Sequence, residues 1–207
     1  MALRVDHAVV SGTFSLDGEV HEVDNNIWVV GDDEECVVID APHDVDAILD
    51  VVAGRRVKAI LLTHAHDDHC RVAPALRERV SAPILLHPAD RPLWELTHGG
   101  DEEGAELWDV DLEDGQSVKV AGASLKVLHT PGHAPGAVCV YVHDLGCVFT
   151  GDTLFQGGPG ATGRSFSDAD VIVDSIRGQL FRLPDETVVH TGHGDDTTIA
   201  AEREALA

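Results

Sequence analysis

The chain has 207 residues, 43% of them apolar and 25% charged, which is a globular composition, long enough to bury a sizeable core and too hydrophobic for a disordered chain. Its 37 Asp and Glu against 14 Lys and Arg give a formal charge of -23; a surface this negative repels phosphate backbones and anionic lipid, which argues against nucleic-acid and membrane partners. No apolar run approaches the ~20 residues of a membrane span, and Asp6 and His7 interrupt the place where a secretory leader needs an apolar stretch.

A cytoplasmic location is therefore expected. The four cysteines, Cys36, Cys70, Cys139 and Cys147, form no CxxC pair and read as reduced thiols. In chain order, 25–31 and 35–41 read as short strands, rich in β-branched residues and bounded by turn formers. Residues 44–54 read as a helix with Val45, Ile48, Leu49 and Val52 on one face and Gly54 as its stop. The apolar run 57–63 suits a strand buried on both faces. A helix over 73–80, a strand over 82–88 and a helix over 89–97 follow, and then a surface insertion. Four strands come next, at 117–120, 124–130, 137–144 and 147–152, separated by Gly-containing turns. A glycine-rich loop over 154–168 leads to a helix over 169–181, a strand over 187–192 and a short acidic helix over 196–206. This order predicts layered sheets with helices outside, in one domain spanning 1–207.

The strongest chemical signal is THAHDDH at 63–69, in which five of seven residues can ligate a metal. It follows directly on a buried strand, so it lies on a loop at the strand's C-terminal end, where layered α/β folds build their sites. His64 and His66 share a direction in extended chain, and Asp68 and His69 come after the chain has turned. A polar loop or helix cap using Asp67 or Asp68 is the alternative, but it leaves three histidines after an apolar strand unexplained. The same grammar of strand, tight Gly turn and ligand-type residue recurs three times. LHTPGHAPG presents His133, VFTGDT presents Asp152 and VVHTGHGD presents His193. Each is weak alone, but together they describe a metal site.

HxHxDH, a PGH turn, TGD and TGH, in that order over about 24–198, resemble the metallo-β-lactamase fold superfamily, and within it the glyoxalase II-like branch. The resemblance implies an α/β fold in the form of a four-layer αββα sandwich with two divalent metal ions at one edge. Zinc is the default for such ligands, and iron or manganese tolerate the same set. It assigns His64, His66 and His133 to one ion, Asp68, His69 and His193 to the other, and Asp152 to the bridge between them. It implies hydrolysis by a bridging hydroxide, with Asp152 and Asp68 as the catalytic carboxylates and Asp68 helping to orient the nucleophile. Asp40, at the end of strand 35–40, either supports a ligand histidine or caps a turn. Arg164, in the glycine-rich loop, either anchors an anionic group of the substrate or makes a structural salt bridge. His7, His21, His43, His98 and His143 read as surface or loop residues, and His129 as a core or supporting residue. Cys70 reads as a small buried residue opening a helix.

A carboxylate bridge disfavours β-lactam hydrolysis, since true β-lactamases resemble this pattern with other residues there. GDTLF carries Phe155 where the acyl-homoserine lactonases have Tyr. The expected reaction is thioester hydrolysis of an S-acyl conjugate of a low-molecular-weight thiol. Fourteen residues follow His193, where glyoxalase II has a helical glutathione-binding region, so the expected carrier is another thiol or a smaller thioester. The alternatives are a persulfide dioxygenase-like oxidoreductase with one iron on His64, His133 and Asp152, a lactone or other ester hydrolase, and a non-catalytic metal-binding protein. A homo-oligomer is compatible with the sequence.

Overall fold

The computed structural model describes residues 2–99 and 107–206. The surface insertion expected after residue 97 falls mostly on 100–106, outside the described residues.

The chain opens with a long hairpin. Strands β1 (Arg4–Leu16) and β2 (Glu19–Gly31) pair antiparallel throughout, with Arg4 opposite Gly31 and Leu16 opposite Glu19. Asp17 and Gly18 form the turn, at φ 54° and 80°, the geometry that an Asp-Gly pair favours because it matches the strand twist. The expected strand at 25–31 is thus only the buried half of a longer one; 19–24 project with mostly exposed side chains.

Strand β3 (Glu35–Ile39) pairs antiparallel with β2. Strands β4 (Arg56–Leu61), β5 (Ile84–Leu86) and β6 (Val110–Asp111) then add in parallel, completing a six-stranded sheet in the order β1-β2-β3-β4-β5-β6. Its connections carry helix α1 (Val45–Val52), the single turn α2 (Asp67–Cys70), and helices α3 (Ala73–Val80) and α4 (Arg91–His98). Asp44 caps α1 by accepting from the N–H groups of Asp46 and Ala47. The expected helix at 89–97 is split: Pro88–Asp90 form a 3-10 turn, and α4 begins at Arg91.

The second sheet contains β7 (Ser117–Val120), β8 (Ala123–His129), β9 (Val138–Val142), β10 (Cys147–Gly151), β13 (Val188–Thr191) and β14 (Thr197–Thr198), in the order β14-β13-β10-β9-β8-β7. Within the glycine-rich loop, β11 (Leu154–Phe155) and β12 (Gly158–Pro159) pair as a small ribbon. Helix α5 (Ala169–Gly178) ends earlier than expected, and a 3-10 turn over Leu180–Arg182 buries Leu180 instead. The expected helix at 196–206 shrinks to α6 (Ile199–Ala205), because the β-branched pair Thr197–Thr198 joins β13 and Thr198 then caps the helix.

Alternation along the strands sorts the apolar residues into three layers. Val38 and Ile60 point to α1, α3 and α4, with Ile48, Leu76 and Trp94. Their neighbours Val37, Ile39 and Leu61 point the other way, to Leu125, Val140 and Phe149 of the second sheet. Leu128 and Val148 meet Ile172 and Ile176 of α5 and Ile199 of α6 on the far side. Helix, sheet, sheet, helix is the expected αββα sandwich. No helix among the described residues is long and apolar enough to cross a membrane.

Candidate metal centre

The segments that follow β4, β8, β10 and β13 meet at one edge of the sandwich. His64 Nε2 and His133 Nε2 each lie 3.0 Å from His66 Nδ1. Donors at ~2.1 Å in tetrahedral array around one zinc are themselves ~3.4 Å apart, so with a small adjustment this trio fits one ion. A second trio stands beside it. His69 Nε2 is 3.3 Å from His193 Nε2, and Asp68 Oδ2 is 3.6 Å from the first and 3.2 Å from the second. Asp152 lies between the two. Its Oδ1 is 3.3 Å from His69 Nε2, and its Oδ2 is 3.5 Å from both His133 Nε2 and His193 Nε2. All seven residues expected as ligands are therefore brought together, in groups whose donor atoms lie within 4.8 Å of one another. The donor chemistry fits a cation: Asp152 Oδ1 is buried without a hydrogen bond, a cost that a metal would relieve.

The far nitrogens fix the rings. His69 Nδ1 is 2.8 Å from Asp40 Oδ2, His133 Nδ1 is 2.8 Å from the Ala161 carbonyl, and His193 Nδ1 is 2.8 Å from the Asp24 carbonyl. His64 Nδ1 lies 3.1 Å from Thr63 Oγ1, whose hydroxyl donates to Asp40 Oδ2 at 2.8 Å. Asp40 Oδ1 also accepts the Thr63 N–H at 2.7 Å. Asp40 thus touches one histidine directly and another through a hydroxyl, from a left-handed backbone position at φ 63°. Each such contact leaves the opposite ring nitrogen aimed at the centre. The glycines supply closeness. A Cβ on Gly192 would stand 2.3 Å from Asp152 Oδ1, and one on Gly151, at φ 47°, would stand 2.4 Å from Thr63 Oγ1.

The family model of the metallo-beta-lactamase superfamily matches residues 22–193. The chain belongs to that superfamily. Among its relatives, the hydroxyacylglutathione hydrolase GloC of Haemophilus influenzae is 32% identical over 189 residues, covering 86% of this chain and 89% of that protein. The crystal structure of the BLEG-1 B3 metallo-beta-lactamase matches with a TM-score of 0.78 at 30% identity, over 94% of this chain and 97% of the other. The TTHA1623 structure in a di-iron-bound form matches with a TM-score of 0.77 at 33% identity, over 95% and 98%.

In this metallo-beta-lactamase superfamily member the two trios differ electrically. Burial lowers the pKa of His64 and His133, and burial with His133 alongside pushes His66 down to about 3, which favours the neutral form of these rings. Burial acts on His69 and His193 in the same direction, but the Asp152 and Asp68 carboxylates outweigh it and hold both well above the ordinary imidazole value. Burial would raise Asp68 and Asp152, and the same two imidazoles hold them low instead.

A pocket of roughly 400 Å³ opens over the centre, within the ~300–1,000 Å³ typical of small-molecule sites. Its outer wall is the β1–β2 hairpin, through Phe14, His21 and Val23, together with Arg164, Ser165 and Ser167 of the glycine-rich loop. Arg164 stacks 5.3 Å over the Phe14 ring, sits 3.2 Å from Glu19 and lies 3.0 Å from His21 Nε2. It is thus both paired and pocket-lining. His21 is therefore a pocket residue rather than a plain surface one, and His43 is a partly buried partner of Asn25, at 2.8 Å. His129 stacks on His87 at 4.0 Å, and His190 bonds Asp196 beside Trp28; none of these three is among the convergent ligands. Asp90 lies in a weakly patterned stretch that gives it no signal in the sequence. Its wholly buried carboxylate accepts the N–H groups of Ala65, between two ligands, and of Gly136, after a third.

Proposed function

We propose that this protein is a two-metal thioesterase that hydrolyses S-acyl conjugates of a small thiol. The observation that carries this reading is the pair of adjacent ligand trios sharing Asp152 beneath a small-molecule pocket. Two divalent cations supply Lewis acidity for a carbonyl and bring the pKa of water from 15.7 toward ~7. The chain's own residues do the rest. Asp152 spaces the two trios and faces the pocket. Asp68, in the second trio and lining the pocket, orients the attacking water and can accept its proton. Phe14 and Val23 give the acyl or thiol portion an apolar wall. Arg164 offers an anionic substituent a cation inside a chain of net charge -23.

The name of the GloC relative, a hydroxyacylglutathione hydrolase, supports the thioester class. The four buried, unpaired cysteines suit a reducing compartment, so we place the enzyme in the cytoplasm. The test is metal quantification of purified protein beside a panel of S-acyl thiols, a lactone, a β-lactam and a persulfide. We expect two ions per chain and thioester turnover, with Asp152→Ala losing both. One iron per chain with oxygen uptake on the persulfide would overturn the reading, as would an Asp152→Ala variant with full activity.

A further inference from the structure

Two buried asparagines stand side by side where β2 enters the core, and strand alternation turns them in opposite directions. Asn26 closes on the end of β13 and the turn after it: its amide donates to the carbonyls of Thr191 and Gly194, both at 3.0 Å. Asn25 faces the metal centre. Its Nδ2 donates to the Asp68 carbonyl at 2.9 Å and lies 3.2 Å from Asp68 Oδ2. It is also 3.5 Å from the Nε2 atoms of both His69 and His193.

These four neighbours are two oxygens that accept and two ring nitrogens aimed at a cation. The hydrogen-bond network therefore assigns the NH₂ end of the amide to this side. Asn25 Oδ1 then faces His43 Nε2 at 2.8 Å, so that ring nitrogen carries the proton. His43 Nδ1, buried without a partner, is left as a bare acceptor, a cheaper orphan than a buried N–H. The ring is also wedged: a Cβ on Gly12 of β1 would stand 2.3 Å from His43 Cγ. Gly12 thus lets β1 pack closely against the His43 ring, which meets the Asn25 amide from there.

We infer that Asn25 is a positioning residue of the second metal site, holding Asp68 by its backbone and its carboxylate, and that His43 keeps Asn25 in the donating orientation. This rests on the reading of Asp68, His69 and His193 as the ligands of that ion. Neither Asn25 nor His43 has a contact with His64, His66 or His133 among the hydrogen bonds described, so the effect is confined to one ion of the two.

The experiment is a zinc competition titration against a chromophoric chelator, read as two stepwise affinities, on the parent protein and on Asn25→Ala, His43→Leu and His43→Gln. Losing a residue that orients a metal ligand costs roughly 10–100-fold in affinity. We expect Asn25→Ala to lose that much at the second ion while the first is bound as in the parent. His43→Leu falls in the same direction. His43→Gln, which restores a donor to Asn25 Oδ1, returns to within about twofold of the parent, and this rescue separates positioning from bulk packing. If Asn25→Ala does not fold, the two His43 variants decide the matter. Parental affinity for both ions in Asn25→Ala and His43→Leu would overturn the inference and leave the two-metal reading standing. A parent that takes up a single ion would remove both.

Discussion

Asp90→Asn should change the pH dependence of stability more than stability itself. The Asp90 carboxyl is wholly buried, with the Ala65 N–H at 2.8 Å from Oδ2 and the Gly136 N–H at 2.5 Å from Oδ1. Burial pushes it from 3.8 up to about 7 against the pull of these two donors, whereas an unfolded Asp titrates near ~3.9. The folded state therefore holds the proton more tightly than the unfolded one. The resulting stability is fully present below about pH 4 and is lost as pH rises through about 7. Some three units at ~1.4 kcal/mol each set the total near ~4 kcal/mol, of which about 3 kcal/mol disappears between pH 5 and pH 8. Asparagine abolishes this titration but turns its NH₂ toward one of the two N–H donors, leaving that group unsatisfied at ~1–3 kcal/mol. The variant is thus the weaker protein below about pH 4 and the more stable one at pH 8. Urea unfolding of chelator-treated parent and variant at several pH values reads the difference directly. A parent–variant gap that stays constant with pH would refute the argument.

Arg164→Ala should raise KM for S-acyl thiols bearing an anionic group by about tenfold, the equivalent of ~1.4 kcal/mol of binding, with little change in kcat. An unchanged KM would leave Arg164 as a strut between Glu19 and the glycine-rich loop. Metal uptake should release protons unequally. The ion entering the His64, His66 and His133 trio meets neutral rings, whereas the ion entering beside His69 and His193 displaces protons that Asp152 and Asp68 hold there. Calorimetry at neutral pH in buffers of different ionisation enthalpy should find little release in the first step and up to two protons in the second, and equal release in both would sink this account.

The candidate ligand set was legible in the sequence because ligand chemistry is local in type even where it is distant in space. THAHDDH, PGH, TGD and TGH each end a strand, and a strand end says where its side chain emerges. The buried strands were legible for the same reason: 57–63 is an apolar run that two faces must cover. The hairpin was not. Its flanks mix His, Ser, Thr and Glu with isolated valines, because one side meets solvent and the pocket rather than a core. The Asp17-Gly18 pair between them was the available signal. Asp90, Asn25 and His43 were hidden for another reason. Each acts through single hydrogen bonds to residues far along the chain, and neither composition nor periodicity encodes such a bond. Arg164 was ambiguous between two roles, and the structure explains why: the same guanidinium reaches Glu19 and lines the pocket.

The site has two parts with different physics. Its floor is made of side chains at the ends of buried strands, with the rings of His64, His69, His133 and His193 each clamped from behind by a hydroxyl, a carboxylate or a carbonyl, so its geometry is set by the core. Its wall is made of the hairpin and the glycine-rich loop, and these are joined across the pocket by few contacts. Asp17 Oδ2 accepts the Ser165 N–H at 3.0 Å, and Arg164 meets Glu19 and His21. Exposed ion pairs of this kind are each worth under ~1 kcal/mol, so the wall can change shape or sequence at little cost to folding. The floor determines what chemistry the site can do, and the wall, with Phe14 and Arg164 side by side, determines which small molecule reaches it.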